Sequence, residues 1–113
     1  MIKVINTSRD FSEVETYLMT IAPSITSMKD IPDHTLIEVD GYLTFIDAKD
    51  NGEEVEVLSI ITPDKKVYSC QSATFKRTIN DIAGIMHGAK FSVEKISGKT
   101  KAGRDFINCV LVI

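Results

Sequence analysis

Lys99, Lys101 and Arg104 fall within one short segment, Ser97-Gly98-Lys99-Thr100-Lys101-Ala102-Gly103-Arg104. Three cations in a glycine-flanked loop suit contact with phosphates, because neutralising a polyanion releases its condensed counterions. Two further basic pairs, Lys65-Lys66 and Lys76-Arg77, lie upstream. Lys76 and Arg77 stand where a helix is expected to begin, a place where cations oppose the helix dipole, which points to use in binding. Tyr42 and Tyr68 offer aromatic faces on which bases of any sequence can stack, and Gln71 adds a polar contact. Tyr42 is expected on the polar face of its strand. Each tyrosine stands evenly between stacking and a half-buried structural role. Phe106 is expected first in the core, as are Phe45, Phe75 and Phe91.

Charge is divided along the chain. Residues 1–64 hold four basic and thirteen acidic side chains, a net of −9, and residues 65–113 hold nine basic and three acidic ones, a net of +6. The overall charge of −3 therefore hides a positive segment where a polyanion would be held.

No catalytic constellation stands out. Gly98-Lys99-Thr100 resembles the end of a phosphate-binding loop, but that motif needs a glycine where Val93 stands and a helix where a strand is expected. Carboxylates are frequent in residues 30–56, yet they lie away from the basic segment, so a metal-dependent nuclease is not expected. Cys70 and Cys109 read as reduced core thiols, and His34 and His87 as surface histidines without ligand spacing. No enzyme activity, metal or cofactor is expected.

With 113 residues, 43% hydrophobic and 26% charged, the chain has the size and composition of one soluble globular domain. No apolar run approaches the roughly 20 residues of a membrane span, and no signal peptide is evident, so a cytoplasmic location is expected.

The elements that must position these residues are legible from periodicity. A short strand is expected over 1–6. A helix over 10–21, capped by Ser8 or Asp10 and ended by Pro23, would put Phe11, Val14, Tyr17, Leu18 and Ile21 on one face. A long strand over 35–48 would carry Ile37, Val39, Leu43 and Phe45 on one face, with Gly41 as a bend. Strands at 53–62 and 66–71 follow, separated by Pro63-Asp64-Lys65. An amphipathic helix over 73–87 would start at Ser72 or Thr74, bury Phe75, Ile79, Ile82, Ala83 and Met86, and end at Gly88. A final hairpin pairs 90–97 with 104–113. The β-β-β-α-β-β order predicts a mostly β protein with one or two helices. In particular it predicts a five-stranded OB-fold barrel over 30–113, with residues 1–29 as an N-terminal extension packed on the domain. An α+β sandwich has the same element order.

From Asp30 to Ile113 the chain resembles the single-stranded DNA-binding proteins of small protein-primed Bacillus phages. The features are Ile31-Pro32-Asp33-x-Thr35-x-Ile37-Glu38, Val67-Tyr68-Ser69, an isoleucine-rich helix, and Gly98-x-x-x-x-Gly103 followed by an apolar strand. The resemblance implies an OB-like fold, sequence-independent coating of displaced strands during replication, base stacking at Tyr68, and no enzyme. Residues 8–28 depart from that pattern, which leaves monomer and dimer both open. Gln71-Ser72-Ala73-Thr74-Phe75-Lys76-Arg77 is more polar and more basic than the family leads one to expect.

The expected partner is therefore single-stranded DNA, or RNA, in a phage or mobile element of a bacterial host, with a replication protein as a further partner. The rival is a protein-interaction module that docks a basic partner through its acidic first part.

Overall fold

The computed structural model describes residues 2–112. Met1 and Ile113, at the outer ends of the strands expected over 1–6 and 104–113, lie outside the described residues. In chain order the elements are β1 (Ile2–Thr7), α1 (Glu13–Thr20), β2 (Thr26–Ser27), a 3-10 turn (Met28–Asp30), β3 (Leu36–Val39), β4 (Gly41–Ala48) and β5 (Glu54–Ile61). They continue with β6 (Val67–Cys70), α2 (Ala73–Met86), β7 (Phe91–Lys99) and β8 (Asp105–Val112). The fold is mostly β: one sheet has the order β1-β4-β5-β6-β2 and the other β3-β7-β8. No helix among the described residues is long and apolar enough to cross a membrane.

The expected long strand is two strands. Asp40 lies between β3, which pairs with β7, and β4, which pairs with β5. The bend expected at Gly41 is present, and it changes which core the strand serves. Ile37 and Val39 enter one cluster, whereas Leu43 and Phe45 enter the other, so the expectation of a single shared face fails. Gly41 permits the turnover because a Cβ there would sit 2.9 Å from the Phe11 ring and 3.0 Å from Arg9 Nε.

The inner core joins Ile37 and Val39 to Leu58 and Ile60 of β5, Val93 and Cys109 of the second sheet, and Phe75, Ile79 and Ile82 of α2. Of the stripe expected on α2, these three are buried and Met86 packs at the margin. Ser72 accepts the Phe75 N–H at 3.2 Å and so starts α2. His87, with φ 51, and Gly88, with φ 85, end it. The outer core sets Leu43, Phe45, Val57, Ile61 and Val67 against Met19 of α1. β5, at the centre of the five-stranded sheet, is therefore buried on both faces from Val57 to Ile61.

Residues 2–27 enter the sheet itself: β1 extends it beyond β4, and β2 pairs in parallel with β6 through Thr26–Tyr68 and Ser27–Ser69. α1 is shorter than expected and is capped by Ser12, not by Ser8 or Asp10. The Glu15 N–H donates to Ser12 Oγ at 3.1 Å, and the Ser12 N–H donates to Glu15 Oε1 at 3.0 Å. The face expected to be buried is also corrected. Met19 is buried, with Leu18 and Phe11 packed beside it, while Val14, Tyr17 and Ile21 are 68%, 48% and 60% exposed. The helix begins two residues after Phe11, so its inward stripe is phased on Leu18 and Met19.

A five-stranded OB barrel would close by pairing β6 with β8. Here β6 pairs with β5 and β2, and β8 is laddered to β7 alone. β2 occupies the edge that closure would use. The hydrogen bond from Ser72 Oγ to the Ile107 carbonyl, 3.2 Å, spans the seam.

Candidate functional site

The β7–β8 hairpin is built as its sequence predicts. Thr100 N–H donates to the Arg104 carbonyl at 2.9 Å, Gly103 N–H to the Thr100 carbonyl at 2.9 Å, and Arg104 N–H to Thr100 Oγ1 at 3.2 Å. Gly103 takes φ 82, where glycine carries no Cβ penalty. Lys101 and Arg104 are exposed and have no acidic partner among the described residues. Lys99 lies 3.7 Å from Asp105, with both side chains largely in solvent.

Beside this hairpin the open seam forms a groove of about 520 Å³. Phe106, Gln71, Ser69 and Ser72 line it, together with Lys29 from the 3-10 turn. Gln71, expected only as an added polar contact, thus shares a surface with the hairpin. Phe106 is half-buried and lies across the cross-strand glycine Gly98, whose Cβ would be 3.0 Å from its ring. A lone lysine in the acidic part of the chain gave no signal, so Lys29 was not legible as a groove residue.

Most other cations of the basic segment are taken up by acids of the first part. Lys65 meets Glu15 at 3.2 Å, Lys66 meets Asp64 at 3.9 Å, and Lys90 meets Asp40 at 2.7 Å. Lys76 lies 3.0 Å from Glu56 and also donates to the Glu56 carbonyl, leaving its side chain 15% exposed. Lys95, 5% exposed, donates to the Ile31 carbonyl at 2.7 Å and lies 3.4 Å from Asp33. Arg77 is exposed and unpaired among the described residues, on the second turn of α2. The separation of charge along the chain is thus largely neutralised by folding, and the hairpin keeps the densest unpaired positive charge.

The tyrosines lie elsewhere. Tyr42 is half-buried against the inner core, not on a solvated polar face, because the turnover at Asp40 reverses the strand's faces. Burial pushes its hydroxyl pKa up. Tyr68 also packs on the inner core, beside a shallow hollow lined by Leu36, Glu38, Pro63 and Lys66. The structure therefore sets Gln71 beside Phe106 of the hairpin's second strand, keeps Lys99, Lys101 and Arg104 together on the hairpin, and sets Tyr68, Lys65 and Lys66 in a second patch. It puts Tyr42 in a third place, a cleft at the other end of α2.

One chain of ion pairs ties the N-terminal residues to the rest. Arg9 Nη2 lies 2.9 Å from both Glu15 Oε2 and Asp40 Oδ2. Lys90 adds to Asp40, and Lys65 to Glu15. Arg9, then the Ser12 N–H and Lys65, hold the Glu15 carboxyl down to about 2, and Lys90 with Arg9 lowers that of Asp40. Burial pushes the Cys70 thiol up and that of Cys109 up to about 12, which disfavours a reactive thiolate at either. Among the described residues no group of three His, Cys, Asp or Glu side chains is placed to hold a metal ion.

Comparison with known proteins returns no match, whether to a family model, a curated protein or a solved structure.

Proposed function

We propose that the protein binds single-stranded DNA, or RNA, without sequence preference and without catalysis, along the seam groove and the Lys99–Arg104 hairpin. The observation that carries this reading is the continuity of the two. Phe106 and Gln71 line a groove that also takes in Asp105, the residue that follows unpaired Arg104 in the hairpin. Bases would stack on Phe106 and meet Gln71 and Lys29, while the hairpin and Arg77 hold phosphates.

We read the architecture as an OB barrel opened at its closing seam. The face of the second and third barrel strands, here β5 and β6, is where such barrels hold oligonucleotides, together with the hairpin loop between the last two. α1 covers the outside of those strands through the outer core. That cover moves the strand path toward the seam and leaves the hairpin loop in use. Lys65, Lys66 and Tyr68 form a second contact, at which phosphate competes with Glu15 and Asp64. Lys76, held by Glu56, is left out. The resemblance to phage single-strand binders supports a role in replication of a phage or mobile element, in the cytoplasm of a bacterial host.

The test is titration of a fluorescent dT oligonucleotide and a matched duplex at two salt concentrations. Tight binding to the single strand that weakens with salt, with little to the duplex, supports the reading. No binding at low salt overturns it. One observation favours the second reading, docking of a protein partner: α1 presents Val14, Tyr17 and Ile21 to solvent next to Glu13. That reading requires a stable protein complex that survives alanine substitution of Lys101 and Arg104.

A further inference from the structure

We propose that the cleft at the C-terminal end of α2 is a pocket for a single nucleobase, apart from the seam groove. The cleft encloses about 430 Å³ between the β3–β4 bend, the residues after β1, and the end of α2 with the start of β7. Its size is that of a small-ligand site. Its α2 residues, Asn80, Ala83 and Gly84, lie ~12–18 Å along the helix from Ser72 at the seam.

The walls suit a flat ring. Tyr42 and Phe91, both half-buried, line the cleft together with Ala83 and Gly84. Gly84 is the informative residue. It sits inside a helix, where glycine weakens helix formation, and it has no positive φ that would demand glycine. A Cβ at Gly84 would meet nothing within 4 Å, so packing does not demand glycine either. The missing side chain keeps the cleft open.

The polar groups suit the edge of a base. Asn80, which is exposed, and Tyr42 line the cleft, and neither the Asn80 carboxamide nor the Tyr42 hydroxyl makes a hydrogen bond among the described residues. A carboxamide offers a donor and an acceptor side by side, the pattern that pairs with a base edge. The charged groups at the rim are already balanced: Arg9 and Lys90 both bind Asp40, and Arg9 also binds Glu15. The cleft therefore favours a neutral heterocycle over a free anion. The base can belong to a free nucleoside or to a nucleotide splayed out of a bound strand, and the chemistry of recognition is the same.

The test is a nuclear magnetic resonance titration of the whole chain with adenosine and with thymidine, followed at the Asn80 side-chain amide and the Gly84 and Gly88 N–H groups. Saturable shifts are expected for at least one nucleoside. Gly84→Leu fills the cleft from an exposed helix position and should weaken that binding at least about tenfold. Asn80→Ala should weaken it with the circular dichroism spectrum unchanged. A dT oligonucleotide distinguishes the sources. If it moves the same resonances, the base comes from a strand; if it leaves them still while the nucleosides move them, the ligand is free. No saturable shift with either nucleoside, or shifts that survive Gly84→Leu, would overturn the proposal. Oligonucleotide binding that depends on Lys101 and Arg104 but not on Gly84 keeps the seam reading separate from this one.

Discussion

Lys90 Nζ lies 2.7 Å from Asp40 Oδ1, so the residue just before the last hairpin holds the residue at which the long strand turns over. Arg9 grips the other Asp40 oxygen and joins it to Glu15, which in turn meets Lys65. A residue that bends the strand is thus fixed from two sides by cations.

This network makes stability depend on acid. Glu15 falls from 4.5 to about 2 on folding, and Asp40 is lowered from 3.8. Depressed carboxyl pKa values add stability that is present above the unfolded values and lost as pH falls through the folded ones. Urea unfolding should therefore show a carboxylate contribution that is constant above about pH 5 and declines from 4.5 towards 2. Glu15→Gln keeps a capping-box residue but removes the charge, and should flatten part of that decline. An unchanged slope would refute the role given to Glu15.

His34 works in the opposite direction. Its Nδ1 lies 2.6 Å from Glu94 Oε2, which raises the imidazole pKa above 6.5. The stability it adds is full below the unfolded value and disappears as pH rises through the folded one. Proton resonance titration should place His34 above 6.5, and Glu94→Gln should bring it down. A value that ignores that substitution would show that the pair does not persist in solution.

Gly41 should be intolerant of a methyl group. Alanine there would press on the Phe11 ring at 2.9 Å, an overpacking that costs about 1–3 kcal/mol. In a Phe11→Ala background most of that penalty should vanish, which a double-mutant cycle by urea unfolding measures. Equal penalties in both backgrounds would mean that the ring is not the obstacle.

Gly84→Ala should do the reverse. Its new Cβ enters open space on a helix, so stability should rise by about 0.5–1 kcal/mol. Thermal unfolding is the check, and a fall would reveal a constraint on the helix that its geometry does not show.

The lysines can be sorted by salt. Replacing Lys99, Lys101 and Arg104 by alanine should lower the slope of log affinity against log salt by about 2, from three lost phosphate contacts on a single strand. Lys76→Ala should leave the slope intact, because that ammonium is held by Glu56. The same loss from both variants would argue against a hairpin-centred path.

Gly98 and Phe106 show where sequence reading reached its limit. Both residues were visible, and so was the hairpin that pairs them, since its turn residues act locally. The ring's position over Gly98 follows from the hairpin register, but its place on the wall of a groove depends on β8 remaining unpaired at the seam. That in turn depends on Thr26 and Ser27 taking the edge of β6. Periodicity over a few residues contains no record of such a competition.

The chain by itself determined most of the strands, though not Thr26–Ser27 or the division at Asp40, together with the second helix, the bend at Gly41 and the cationic hairpin, because alternation, capping and turn preference are properties of neighbouring residues. The tertiary structure decided which cations stay free, which face of α1 is buried, and that Tyr42 points to a cleft. Lys65 and Glu15 stand fifty positions apart and are brought within 3.2 Å. Charge is written residue by residue, but neutralisation depends on distance in space, so the positive segment of the sequence became a narrower positive surface in the fold.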